Sequence, residues 1–120
     1  MSSKKQKIAD KDRYSIIVPY LDKCYICGSK TKVEKHEVFY GVKNRPLSIE
    51  DGMVIPLCSY HHNSSNQGVH RNKDLDIKLK QMAQRIWMDK YCNKNLSKNE
   101  QIEQFIKRYG QNYLFDEYKI

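Results

Sequence analysis

Two short cysteine and histidine pairs limit what this chain can fold into more than any other feature. Cys24 and Cys27 enclose two residues, and thirty residues later Cys58 and His61 enclose two again. A two-residue gap lets a tight turn aim both side chains at one ion, and a tetrahedral zinc takes four ligands of this soft or borderline kind. Gly28 follows the first pair and can supply the positive φ that such a turn needs. The second pair follows an apolar stretch and opens a polar one, where a knuckle has to sit. A structural zinc on Cys24, Cys27, Cys58 and His61 is therefore expected. His62 is the alternative fourth ligand, because adjacent histidines exchange roles with small backbone changes, but the spacing favours His61.

The chain has 120 residues, which is room for one domain. Lysine, asparagine and tyrosine are abundant while large aliphatics are few, so the core is expected to be thin and to gain from a metal cross-link. In a reducing compartment the cysteines serve metal rather than disulfides, which leaves Cys92 as a free thiol on a helix. No apolar run approaches the roughly 20 residues that cross a bilayer, and the first residues lack a signal-type apolar core, so a cytoplasmic location is expected. The formal charge is +8, from 22 basic and 14 acidic residues. Three zinc-bound thiolates lower it by one unit, to about +7. Such a balance suits a polyanion, with nucleic acid the first candidate because basic groups gain affinity by releasing phosphate counterions.

The pattern along the chain is that of an α+β domain over residues 14–120, preceded by a flexible basic leader over residues 1–13 that is suited to touching phosphates. Residues 14–21 (YSIIVPYL) read as a strand or extended segment ended by Pro19. Residues 31–39 (TKVEKHEVF) read as a strand and residues 53–57 (MVIPL) as its antiparallel partner. Residues 40–52 are too long for a tight hairpin and suggest an Ω-type excursion, with a helical turn after Ser48 closed by Gly52. Loops of that length commonly carry function. Asn72 can cap a helix whose apolar positions Leu75, Leu79, Met82, Ala83, Ile86 and Trp87 run to about Tyr91. Ser97 and Glu100 form a capping box for a second helix, with Ile102, Phe105, Ile106 and Tyr109 on one stripe and Gly110 at its end. Both helices read as scaffold.

All four histidines lie between residues 36 and 70. With His61 on zinc, His36 remains on the first strand, His62 beside the knuckle and His70 after Gly68. Pairing of the two strands lets His36 and His62 face each other across a cleft, where they can hold a second, divalent ion. Such an ion stabilises phosphoryl oxygens and a leaving group while a nearby base activates water.

The order CxxCG, HEVFYG, NRPLS, DGMVIPLCSYHH, GVH and EQFIKRYGQNYL resembles small phage and prophage proteins classed as HNH-like endonucleases, over about residues 22–114. The resemblance implies a ββα-metal core with a zinc knuckle and two C-terminal helices. It also implies cleavage of DNA phosphodiesters with a catalytic Mg²⁺, Mn²⁺ or Zn²⁺ in phage replication, recombination or packaging. The family's first strand offers a metal-binding Asp or His, then a general-base His, then an aliphatic residue. In the register His36-Glu37-Val38, His36 is a ligand with His62 and His70, and Glu37 is the base. In the register Lys35-His36-Glu37, His36 is the base and a lysine stands at the ligand position. Val38 in the aliphatic slot favours the first. The family's middle asparagine is missing from the stretch Asp51-Gly52-Met53. Asn44 is the candidate for its orienting role, and Arg45, Lys43 and Arg71 are candidates, with Asn44, for contact with DNA. The missing asparagine leaves open a non-catalytic zinc module that binds DNA or a protein. Cleavage of branched DNA is a further alternative, and a homodimer is one way of cutting both strands.

Overall fold

Residues 33–37 (VEKHE) carry a single β-branched residue, Val33, among polar and charged ones, and extend by pairing with the continuous apolar run of residues 54–58. In the computed structural model, which describes residues 13–115, β1 (Val33–Glu37) pairs antiparallel with β2 (Val54–Cys58) in a two-stranded sheet. Val33 stands opposite Cys58, His36 opposite Ile55 and Glu37 opposite Val54. All of β2 is buried, whereas β1 is half-buried at its start and buried only at His36 and Glu37. A proline is tolerated in β2 because a two-stranded sheet leaves each strand an outer edge. The Pro56 carbonyl accepts the Tyr25 amide at 2.7 Å and so holds the first knuckle against β2.

The excursion between the strands contains a full helix, α1 (Asn44–Asp51), which begins four residues before the single turn expected after Ser48. Pro46 lies in the first turn, where helical amide donors lack intrahelical partners, so its missing N–H does no harm. Ser48 pins α1 to the end of β1: its buried hydroxyl donates to the Phe39 carbonyl at 2.6 Å and accepts the Phe39 amide at 3.1 Å. Gly52 closes α1 at φ 73°, and a Cβ there would stand 2.7 Å from the Tyr14 ring.

After β2 come α2 (Ser59–His62), α3 (Lys73–Tyr91) and α4 (Lys98–Tyr109). The last two are the expected scaffold helices. Asn72 caps α3 through its side chain, Ser97 and Glu100 form the capping box of α4, and Gly110 ends α4 in the left-handed conformation. The core lies between the sheet and these helices. Phe39, next to β1, meets Phe105, Tyr109 and Tyr113 with ring centroids 5.1, 4.5 and 5.7 Å away. A buried carboxylate joins α1 to both long helices: Asp51 accepts from Trp87 Nε1 at 2.8 Å, Tyr109 Oη at 2.7 Å and the Arg108 guanidinium at 2.8 and 2.9 Å.

Three expectations need correction. Residues 14–21 form no strand: the Ser15 hydroxyl accepts the amides of Ile17 and Val18, and this local turn takes donors that a ladder would need. Cys92 sits at the C-cap just beyond α3, buried, with its thiol held above the ordinary range by that burial. Arg13 does not belong to a free leader, since its side chain is 16% exposed and bonds to Glu37. The rest of the proposed leader, residues 1–12, lies outside the described residues, as do residues 116–120. Among the described residues no helix is long and apolar enough to cross a membrane.

Candidate metal centres

The first knuckle turn (residues 24–28) and the start of α2 bring four donor atoms together. Cys24, Cys27, Cys58 and His61 each offer one atom, all within 4.8 Å of one another. His61 Nδ1 stands 3.4 Å from Cys58 Sγ and 3.7 Å from Cys24 Sγ, and the sulfurs of Cys27 and Cys58 are 3.7 Å apart. Zinc bonded at about 2.3 Å to sulfur and about 2.0–2.1 Å to nitrogen sets tetrahedral edges of roughly 3.6–3.8 Å. The donor set therefore fits a metal such as zinc in both chemistry and spacing. None of the four cysteines among the described residues is in a disulfide. Burial raises the Cys24 thiol, but amides of Cys27, Cys58 and Ile26 directed at the sulfur outweigh it and bring the pKa down to about 6. Burial, together with the neighbouring sulfurs of Cys27 and Cys24, pushes Cys58 up. His62 takes no part in this cluster.

His62 belongs to a second cluster with His36 and His70, whose ring nitrogens also lie within 4.8 Å of one another. The His36 ring stands 5.1 Å from that of His62 and 5.2 Å from that of His70, and the His62 and His70 Nε2 atoms are 3.2 Å apart. Local backbone geometry explains the convergence. The loop after α2 folds back so that the Val69 amide meets the His61 carbonyl at 2.8 Å and the His70 amide the His62 carbonyl at 3.2 Å. Gly68 allows this approach, because a Cβ there would lie 2.8 Å from the His62 carbonyl oxygen.

His36 is 2% exposed, and its Nε2 has no hydrogen-bond partner among the described residues. Burial holds its pKa well below the ordinary range, and the proximity of the basic side chains of His62, His70, Lys80 and Arg45 adds to this, since a charged His36 would be repelled by any of them in its charged form. His70 is lowered chiefly by burial, with Asp76 opposing. A neutral imidazole is the form that binds a metal, so these environments favour the ligand state.

Glu37 follows His36 on β1, so its side chain starts from the opposite face of the strand. Its carboxylate nevertheless lines an open cleft of about 470 Å³ together with His62, Glu34, Lys35 and Arg13. Oε2 accepts Arg13 Nε at 2.6 Å, while Oε1 faces Arg45 Nε at 3.4 Å. Arg45 is largely exposed, and Lys43 and Arg71 are exposed, Arg71 directly after His70. Asn44 is engaged elsewhere: its amide nitrogen donates to the Tyr109 carbonyl at 3.1 Å, which makes it a tie between α1 and α4 and not an orienting group for Glu37 or the histidines.

Sequence reasoning passed over two neighbours of the cluster. Tyr40 packs its ring 5.7 Å from His36 and 4.9 Å from His70, and its hydroxyl donates to Asp76 Oδ2 at 2.9 Å. Glu34 Oε1 lies 2.6 Å from His62 Nδ1. The signal for Glu34 was the strand period of two, which puts residues 34 and 36 on one face. Comparison of the chain with family models, with curated proteins and with solved structures found no match to any of them.

Proposed function

We propose that this chain is a metal-dependent endonuclease of the HNH type that hydrolyses phosphodiester bonds in DNA. The observation that carries the reading is the convergence of His36, His62 and His70 on one point, with the buried Nε2 of His36 unpartnered. A buried polar nitrogen without a partner is costly unless something else satisfies it. The chain order supports a ββα-metal core: β1 bears His36, and α2, which directly follows β2, bears His62. The knuckle would hold the structural zinc at the base of that helix.

A divalent ion on the three imidazoles would stabilise charge on the phosphoryl oxygens and on the departing oxygen. Three nitrogen donors suit Mn²⁺ or Zn²⁺ better than Mg²⁺, which prefers oxygen ligands. His36 then serves as a ligand, the register that also puts Val38 in its apolar place. Glu37 is the base, and Oε1, with the longer guanidinium contact, is the oxygen available to accept a proton from the attacking water. Arg45, exposed beside that carboxylate, is suited to a bidentate contact with the phosphate, and Lys43 and Arg71 to the flanking backbone.

The test is nicking of supercoiled plasmid in Mg²⁺, Mn²⁺ or Zn²⁺ by the full chain and two variants. Glu37→Gln should keep the ion and cleave about 100-fold more slowly, the usual scale for a lost general base. His36→Ala should weaken ion binding, with partial recovery in excess Mn²⁺. No nicking by the unaltered chain with any of the three ions would overturn the proposal. One observation favours a second reading, a non-catalytic zinc module that binds DNA or a protein: the Arg13 guanidinium on Glu37 at 2.6 Å engages the would-be base. In that case DNA would be bound or ignored, but not cut.

A further inference from the structure

On the reading of the three histidines as an ion site, we propose that Glu34 is its positioning residue: the carboxylate accepts a hydrogen bond from the Nδ1–H of His62 and leaves Nε2 to face the ion. Glu34 is two residues before His36 on β1, on the same face of the strand, so one short segment supplies a ligand and the group that orients another. The contact, Nδ1 to Oε1 at 2.6 Å, is short even for a charge-assisted hydrogen bond. His62 is 16% exposed in its side chain and Glu34 55%, so the imidazole is enclosed while the carboxylate stays in touch with water. The bond consequently costs little desolvation at the glutamate and fixes a ring that has little room to turn.

The proton's place follows from the partners. An ionised carboxylate only accepts, so His62 carries hydrogen on Nδ1 whether the ring is neutral or charged. The other nitrogen, Nε2, is the one that lies 3.2 Å from His70 Nε2 and faces the cluster. Without Glu34, a neutral His62 is free to place its proton on Nε2, which blocks the lone pair the ion needs. Partners of this kind, which hold the tautomer and orientation of a ligating histidine, typically change metal affinity by about 10- to 100-fold when removed.

The experiment uses the full chain with its knuckle zinc retained, titrated with Mn²⁺ and followed by loss of the free-ion electron paramagnetic resonance signal. Imidazole nitrogen spectra recorded before Mn²⁺ is added report the tautomer of His62. Glu34→Ala should lower Mn²⁺ affinity about 10- to 100-fold and shift the His62 proton from Nδ1 toward Nε2, with zinc content and melting temperature unchanged. Glu34→Gln keeps an acceptor oxygen and should restore the Nδ1–H tautomer and part of the affinity. The same Mn²⁺ affinity and tautomer in Glu34→Ala as in the unaltered chain would overturn the role. So would a loss of affinity matched by loss of knuckle zinc, which marks a merely structural effect. If the unaltered chain binds no Mn²⁺, the ion reading itself fails, and an unshifted His62 tautomer in Glu34→Ala still refutes the part given to Glu34.

Discussion

Gly68 shows how much of the second cluster depends on an atom that is not there. A Cβ at this position would meet the His62 carbonyl oxygen at 2.8 Å and its carbon at 2.9 Å, both backbone atoms that cannot swing aside. Gly68→Ala should therefore lift the loop from α2 and draw His70 away from His62. The expected cost is about 1–3 kcal/mol in stability, the scale of an overpacked site. Mn²⁺ affinity should fall as well, and a thermal melt with a metal titration would check both. The sequence marks Gly68 only as punctuation before a valine and a histidine, since the carbonyl it must avoid belongs to a residue six positions earlier. Asp51 was equally illegible: its partner Arg108 is 57 positions away, and no local pattern links an acid at a helix end to a guanidinium on a distant helix.

Elements defined by local chemistry could be read directly. The Asn72 cap and the Ser97–Glu100 box act within one turn, so three or four neighbouring residues specify them. The start of α1 was missed because Asn44, Arg45 and Pro46 show no apolar stripe. That helix is held by Ser48 on Phe39 and Asn44 on Tyr109, both tertiary contacts. The donors of the knuckle were legible because two-residue spacing is itself a geometric statement. The knuckle joins a segment without regular structure to β2 and α2, so it stands in for a sheet ladder that residues 14–30 do not form. Cys24→Ser should accordingly release zinc and destabilise the domain by several kcal/mol, roughly the scale of losing a structural site. Elemental analysis beside a chemical denaturation curve would measure both. Full zinc content in the variant would remove Cys24 from the ligand set.

At the scale of the whole molecule, four phenols, Tyr109 and Tyr113 in the core, Tyr40 half-buried and Tyr91 at its edge, shape how the fold answers to alkali. Burial first, and then neighbouring acids, push Tyr40, Tyr109 and Tyr113 above the ordinary value, and burial with Tyr14 and Asp51 close by brings Tyr91 to about 12. In the unfolded chain these groups lose their protons near pH 10. A raised folded pKa means that the folded state binds more protons above that point. The contribution to stability is thus complete below about pH 10 and is lost as pH climbs above that through the raised folded values. Tyrosinate absorbance recorded with circular dichroism should show these phenols ionising late, together with unfolding. Their full ionisation near pH 10 in a still-folded chain would contradict the burial described here. One further consequence comes from the shortest helix. His61 and His62 are adjacent on α2, and each belongs to a different cluster. A rotation of those four residues that suits one cluster also sets the histidine of the other, so two ions held there would be thermodynamically linked. By reciprocity, any factor by which occupancy of the knuckle tightens the three-histidine cluster is the factor by which that cluster tightens the knuckle.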